Sequence, residues 1–239
     1  TENFKIIQYE YYKDRSIERE AFKAGDIDFF SENSSKEWAT SYEVPALKNN
    51  LLKKELIEHQ NPQGMQGFVF NTRKNIFKDR KVRKAISYAF DFEWTNKNLF
   101  YGAYKRTNSF FENSELASSG LPSGKELNYL TPYIDVLPKE IFTTEYNPPK
   151  TNGSGFMRLE LREASKLLQD SGWELIEGEL LNKNSGEKFE FEILLVSPAF
   201  ERIVLPFKDN LEKLGIDVNI RTVDSAQYQN RLDSFDFDM

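Results

Sequence analysis

The stretch KFEFEILLVSPAFERIVLPFKDNLEKLGIDVNI, residues 188–220, decides the fold. Phe189, Phe191 and Ile193 alternate with Glu190 and Glu192, the two-residue period of a strand, predicted over Lys188 to Val196. Pro198 then opens a helix whose apolar face is Ile203, Val204, Phe207, Leu211 and Leu214, closed by Gly215. Ile216, Val218 and Ile220 alternate again as a second strand, and Ser225 to Leu232 reads as a short helix. Strand–helix–strand–helix order at this spacing implies crossover connections and an α/β sheet.

Upstream, Arg158 to Ser171 reads as a helix with Leu161, Ala164, Leu167 and Leu168 inward and Gly172 as its stop; a turn-rich patch covers Leu181 to Glu187. The clearest helix runs from Asp79 to Phe90. Val82, Ala85, Ile86, Ala89 and Phe90 form one stripe, and Arg80, Lys81, Arg83 and Lys84 lie on the polar side. Asp91 suits the cap of a second helix carrying Trp94, Leu99 and Phe100 and ending at Gly102. Nearer the start, Phe4 to Tyr12, Asp26 to Phe30 and Leu51 to His59 carry strand-like residues or alternation, and Gly67 to Asn71 reads as a buried strand. Between them, Ile17, Ala21 and Phe22 mark a helix ended by Gly25, and Ser35 to Asn49 a helix that Pro45 bends or restarts. From Lys105 to about Phe156 periodicity fails amid prolines and glycines. The aromatics Phe110, Phe111, Tyr129, Tyr133, Phe142 and Tyr146 there predict an ordered excursion wrapped over the domain.

Composition removes whole classes of function. Of 239 residues 39% are apolar and 29% charged, which suits a globular protein. The net charge of −6, with no basic patch, argues against nucleic-acid and anionic-membrane partners. There is no Cys, and a single His, His59, so a usual zinc site and a thiolate framework are excluded. Gly64-Met65-Gln66-Gly67 lacks the Lys-Ser/Thr or third Gly of a phosphate loop. Asp233, Asp236 and Asp238 are acidic but lack the Gly and Glu of an EF-hand loop. No catalytic or metal site is expected. A hydrolase using two carboxylates stays as a rival, requiring two acidic side chains about 5–10 Å apart in one pocket. No apolar run approaches the roughly 18 residues of a membrane span. The chain opens in mid-pattern at Thr1-Glu2-Asn3-Phe4 and stops at Phe235-Asp236-Phe237-Asp238-Met239, like the start of a strand, so an excised piece of a longer protein is expected.

Several segments in fixed order resemble the family 5 extracellular solute-binding proteins, the oligopeptide-, dipeptide- and nickel-binding class. They are SIEREAFKAGDIDF (16–29), FVFNTRKNIFKDRKVRKAISYAFDFEWTNKNLFYGAY (68–104), ASKLLQDSGW (164–173), the strand-helix-GIDV run through Ile220, and Phe235 to Asp238. SELASSGLPSGKEL and EYNPPKTNGSG, in the middle excursion, are similar to the Yej-type peptide-binding branch. Phe92 departs from the family, which often has Arg after the helix-capping Asp.

The resemblance implies a type II periplasmic-binding-protein-like lobe, a mixed sheet flanked by helices, within a protein of two lobes closing on ligand. Residues 1–30 would be the end of the first lobe and the crossover, and 31–239 most of the second, truncated at its end. It implies an ABC-importer component in the periplasm of a Gram-negative cell. That component captures peptides or peptide-like solutes for permease subunits, without cofactor or turnover. Oligosaccharides or metal chelates are the alternative cargo. Ligand-facing positions implied by the resemblance are Lys74, before Ile-Phe-Lys-Asp; Phe200, Glu201 and Arg202, after a strand end; and Arg231, before the last strand. Cations there suit a peptide carboxylate. Phe110, Phe111 and Tyr104 are candidate apolar walls, and Arg83 a fork for a buried carboxylate. The family's acidic anchor for a peptide amino group would lie beyond Met239.

Overall fold

The computed structural model describes residues 3–239, which divide into two compact units on either side of the His59–Gln60 bond.

The first unit is built on three short helices. Asp14 caps α1 (Arg15–Ala24) by accepting from Ser16 N at 2.7 Å and Ile17 N at 3.3 Å, and left-handed Gly25 closes it. The expected helix at 35–49 is two: α2 (Ser35–Thr40) and α3 (Pro45–Lys48), restarted with Pro45 in the first turn. Their centre is polar. Arg19 Nε donates to Glu32 Oε2 at 2.8 Å, Tyr42 Oη donates to the same oxygen at 2.8 Å, and Ser34 N to Oε1 at 2.9 Å.

The strands expected at 4–12, 26–30 and 51–59 do not form. Phe4, Ile6, Tyr9, Tyr11, Leu56 and Ile57 are largely exposed. β-propensity is fit to a half-buried pleated surface, and no ladder partner meets these segments among the described residues. Residues 26–30 turn back onto α1 instead: Phe30 stacks on Phe22 with centroids 5.6 Å apart and lies under the Arg15 guanidinium at 4.4 Å.

The second unit begins with the 3-10 turn Asn75–Phe77, then α4 (Arg80–Tyr88), capped by Asp79, and α5 (Phe92–Asn98), capped by Asp91. The excursion after Lys105 is less irregular than expected, holding α6 (Gly124–Leu130), the 3-10 turn Thr131–Tyr133 and α7 (Glu140–Thr143). Next come α8 (Arg158–Asp170) and a hairpin, β1 (Trp173–Ile176) antiparallel to β2 (Glu179–Asn182). The turn-rich reading of 181–187 missed this hairpin, whose two-residue turn is Glu177-Gly178, both at positive φ. β3 (Glu190–Leu195), α9 (Glu201–Glu212) and β4 (Asp217–Thr222) form the expected strand–helix–strand unit, with β3 parallel to β4 and Ile193 opposite Ile220. α10 (Ser225–Asp233) follows, capped by Asp224. The turn between α9 and β4 needs Gly215: φ is +80°, and a Cβ there would lie 2.4 Å from Leu175 Cδ1 and 2.8 Å from Leu180 N.

The core of this unit gathers Phe77, Ile86, Leu168, Phe189, Ile193, Leu211 and Val218, all fully buried. Phe77 meets Phe70 and Phe191 edge-on, each at 5.2 Å, and Trp173 meets Phe189 at 4.5 Å. Gly67 to Asn71, expected as a buried strand, is an extended segment with Phe68 and Phe70 half-buried and Asn71 buried. Asn71 supplies what the ladder lacks: its N donates to Asp238 O at 2.9 Å, and its Nδ2 to Phe235 O at 3.0 Å and Phe237 O at 2.7 Å. Those residues run on to Met239, whose N donates to Glu192 O at 3.1 Å and whose O accepts from Leu194 N at 2.9 Å, the parallel pattern along β3. Arg83 meets no carboxylate among the described residues. Its Nη1 donates to the carbonyls of Phe77 (2.7 Å) and Lys78 (2.8 Å), because the turn that buries Phe77 leaves those acceptors without helical donors.

Candidate functional site

Open α/β sheets present ligands to the crevice outside the carboxyl ends of their strands. Here those ends are Leu195 of β3 and Thr222 of β4, side by side in register. From Leu195 the chain passes through Val196 and Ser197 into the 3-10 turn Pro198–Phe200 and α9. Ser197 caps that turn, accepting from Ala199 N at 3.3 Å. This places Glu201 beside β4, where Thr222 Oγ1 donates to its Oε1 at 2.6 Å. Phe200 is half-buried against the core. Arg202 turns elsewhere: its Nη1 donates to the Leu99 carbonyl at 2.8 Å and joins α9 to the end of α5.

Lys74 and Arg231 converge on one network. Lys74 Nζ lies 2.9 Å from Asp238 Oδ1, and Asp238 Oδ2 accepts from Glu192 N at 2.9 Å. Arg231 Nη1 donates to Glu192 Oε1 at 2.8 Å, and its Nε reaches Asp236 O at 2.7 Å and Asp236 Oδ2 at 3.1 Å. Burial works against the Arg231 charge, but the hydrogen bond and charge of Glu192, with Asp236, outweigh it and raise its pKa further. Arg73 covers the Phe235 ring at 3.5 Å. Sequence reasoning found the two cations and missed Glu192, whose strand position reads as ordinary alternation. The partner of Arg231 is 39 residues away in the chain.

The other candidates separate. Phe110 and Phe111 are largely exposed and Tyr104 half-exposed, with Tyr104 edge-on to Phe100 at 4.8 Å. Asp236 and Asp238, weighed as cation ligands, are occupied by Arg231 and Lys74. No group of three His, Asp or Glu side chains suited to a metal occurs among the described residues. The carboxylates whose pKa moves among those residues, Asp14, Glu32, Glu112 and Glu140, all move down, the opposite of what a general acid needs. No helix among the described residues is long and apolar enough to cross a membrane.

The family model for bacterial extracellular solute-binding proteins, family 5 (middle region) matches residues 1–239. The chain is 46% identical over 239 residues to the probable peptide-binding protein YejA of Agrobacterium fabrum, covering 99% of this chain and 39% of that protein. It thus spans about two fifths of that relative's length. Among solved structures, NikA of Brucella suis, crystallised with Fe(III)-EDTA, superposes with a TM-score of 0.60 at 22% identity, over 95% of this chain and 39% of that one. AppA of Bacillus subtilis, an oligopeptide-binding protein in complex with a nonapeptide, superposes at 0.58 with 20% identity, over 94% and 38%. At these identities the two structures establish the α/β binding-protein fold alone.

Proposed function

The chain belongs to the bacterial extracellular solute-binding proteins of family 5, and from that premise we propose that the whole protein captures oligopeptides or peptide-like solutes between two lobes and passes them to an ABC permease. The observation that carries the peptide reading is the 46% identity, along essentially the whole chain, to the probable peptide-binding protein YejA. In this reading residues 1–30 close the first lobe and 31–239 form most of the second; the packing division falls later, after His59. The protein works outside the cytoplasm, in the periplasm of a Gram-negative cell, with no cofactor and no turnover of its ligand.

Within this chain the proposed ligand-facing set is Lys74, Phe200, Glu201 and Arg231, with Arg202 behind it on the Leu99 carbonyl. Phe200 and Glu201 sit at the carboxyl end of β3 and offer an apolar wall and an acceptor. Lys74 and Arg231 are each held by a carboxylate, so a peptide carboxylate gains either cation only by exchanging with Asp238 or Glu192. Arg202 acts through its hold on Leu99, which fixes the α9 start.

Calorimetry of the full-length protein against defined peptide pools, with mass spectrometry of the recovered ligand, tests this. Saturable binding of intact peptide is expected. Binding of an oligosaccharide or a metal chelate with none of peptide overturns the cargo, and cleaved peptide overturns the transport reading.

A further inference from the structure

We propose that Arg106 binds a singly charged carboxylate ligand, through guanidinium donors that no acceptor among the described residues occupies. Arg19, Arg83, Arg106, Arg202 and Arg231 are the described arginines withdrawn from full exposure. All but Arg106 donate to protein oxygens. Arg19 reaches Glu32 at 2.8 Å, Arg83 the Phe77 carbonyl at 2.7 Å, Arg202 the Leu99 carbonyl at 2.8 Å and Arg231 Glu192 at 2.8 Å. Arg106 makes no hydrogen bond or ion pair with any described residue. Its contacts are the Phe90 and Phe92 rings, whose centroids lie 5.2 and 5.3 Å from the guanidinium carbon. Nor are its donors sealed. The buried side-chain polar atoms without a partner are Asp91 Oδ2 and Ser171 Oγ, so every guanidinium nitrogen of Arg106 keeps solvent access. A ligand can therefore reach them.

The rings hold the cation without consuming its donors. Attraction to an aromatic face uses the charge and leaves the N–H groups free. Phe90 is itself fixed against the core, edge-on to Phe68 at 5.7 Å and to Phe207 at 5.6 Å. The fork is thus placed in advance on a rigid support, and its shape matches the two oxygens of a carboxylate. Burial works against the charge, and Glu93 and Tyr146 favour it only at a distance, so the pKa of Arg106 falls. An anion in contact offsets that cost. Glu93 does not take the fork itself, because its Oε2 accepts from Thr151 N at 2.9 Å and Thr151 Oγ1 at 3.1 Å. The surroundings also limit the ligand's charge to one. Lys105, next in the chain, is held by Glu112 at 3.1 Å and offers no second free cation. The Glu93 carboxylate acts on the same guanidinium and repels a dianion more than a monoanion. Unlike Lys74 and Arg231, Arg106 needs no exchange with a carboxylate of the protein, and its site does not rest on the peptide reading. Every residue of the site lies within the second unit.

The test is a titration of the isotope-labelled intact protein with sodium propionate, following the Arg106 Nε–H and Phe92 amide resonances. Sodium chloride at equal ionic strength and neutral propionamide are the controls, with sodium phosphate as the dianion. Saturable shifts with propionate, and weaker binding of phosphate, are expected. Arg106→Lys keeps the charge on the rings but loses the fork, and it should weaken propionate binding about tenfold, read at the Phe92 amide. Glu93→Gln keeps an acceptor for Thr151 and removes the charge that repels the ligand, so it should tighten binding about threefold. The proposal fails if chloride or propionamide reproduces the shifts, if they do not saturate, if phosphate binds more tightly, or if folded Arg106→Lys binds as the parent does. Should Arg106→Lys not fold, Glu93→Gln decides: unchanged or weaker propionate binding overturns the site.

Discussion

The two compact units are held together by opposite means. In residues 60–239 the centre is aromatic and aliphatic, with Phe77, Phe189, Phe191 and Trp173 in edge contact and few polar side chains among them. In residues 1–59 the centre is a charged knot in which Glu32 accepts from Arg19, Tyr42 and Ser34, with Glu37 3.5 Å from Arg19. Apolar burial is non-directional, indifferent to pH and tolerant of small shifts. A partly buried ion-pair network is directional, and losing one partner leaves the rest unsatisfied. The first unit should therefore fail on acidification or loss of a single carboxylate, the second on loss of volume.

Substituting the aromatic centre should have the largest effect. Phe77→Ala removes a fully buried ring and should cost about 4 kcal/mol, read as a lower urea midpoint for Trp173 fluorescence. An equal fall in the transition followed through Trp38 would break the distinction between the units. Glu32→Gln should cost the first unit about 3 kcal/mol, since Arg19 keeps its charge, loses its 2.8 Å ion pair and is left with the longer contact to Glu37, with Trp38 as the reporter.

Glu32 also sets a pH dependence. Burial pushes its carboxyl up, but hydrogen bonds from Arg19, Ser34 N and Tyr42, with the Arg19 charge, outweigh it and hold the group below its ordinary 4.5. The stabilisation is therefore complete above 4.5 and drains away as pH falls through the lower folded value. Trp38 should report acid unfolding ahead of Trp173, and Glu32→Gln should flatten the Trp38 dependence; identical acid transitions would contradict this.

A smaller effect is expected at Asn71, which ties 235–238 to the rest of the second unit. Asn71→Ala removes three side-chain hydrogen bonds, two of them to the 235–238 segment, and should cost about 2 kcal/mol, with faster hydrogen exchange at Met239 and Leu194. The smallest is Asp79→Ala, which strips the α4 cap and should cost about 1 kcal/mol by thermal melting.

The two units also differ in how far their sequences disclosed them. Along α4 the stripe Val82, Ala85, Ile86 and Ala89 named the buried face correctly, and the cap Asp91 stands where the pattern put it, while Asp79, read as the first helical residue, caps α4 instead. The β3–α9–β4 unit was equally legible, because each strand meets a partner that the same stretch of chain provides. Phe4 to Tyr12 carries comparable strand residues and forms no strand, since pairing is a property of two segments. The β1–β2 hairpin escaped notice because Glu177-Gly178 is a weaker turn signal than Asn-Gly.

The site follows the same division. Lys74 and Arg231 stand out as cations, but their partners Asp238 and Glu192 became visible only once the chain's end lay along β3. Asp91 was read from sequence as a cap, which it is; the burial of its second oxygen without a partner among the described residues is a product of packing. The sequence by itself determined the helix faces, the caps, the crossover unit and the family motifs, all of which depend on neighbours within a few residues or one crossover. Only the tertiary structure decided which strand-like segments find partners and which charges meet, because a ladder or an ion pair needs groups that chain order leaves far apart.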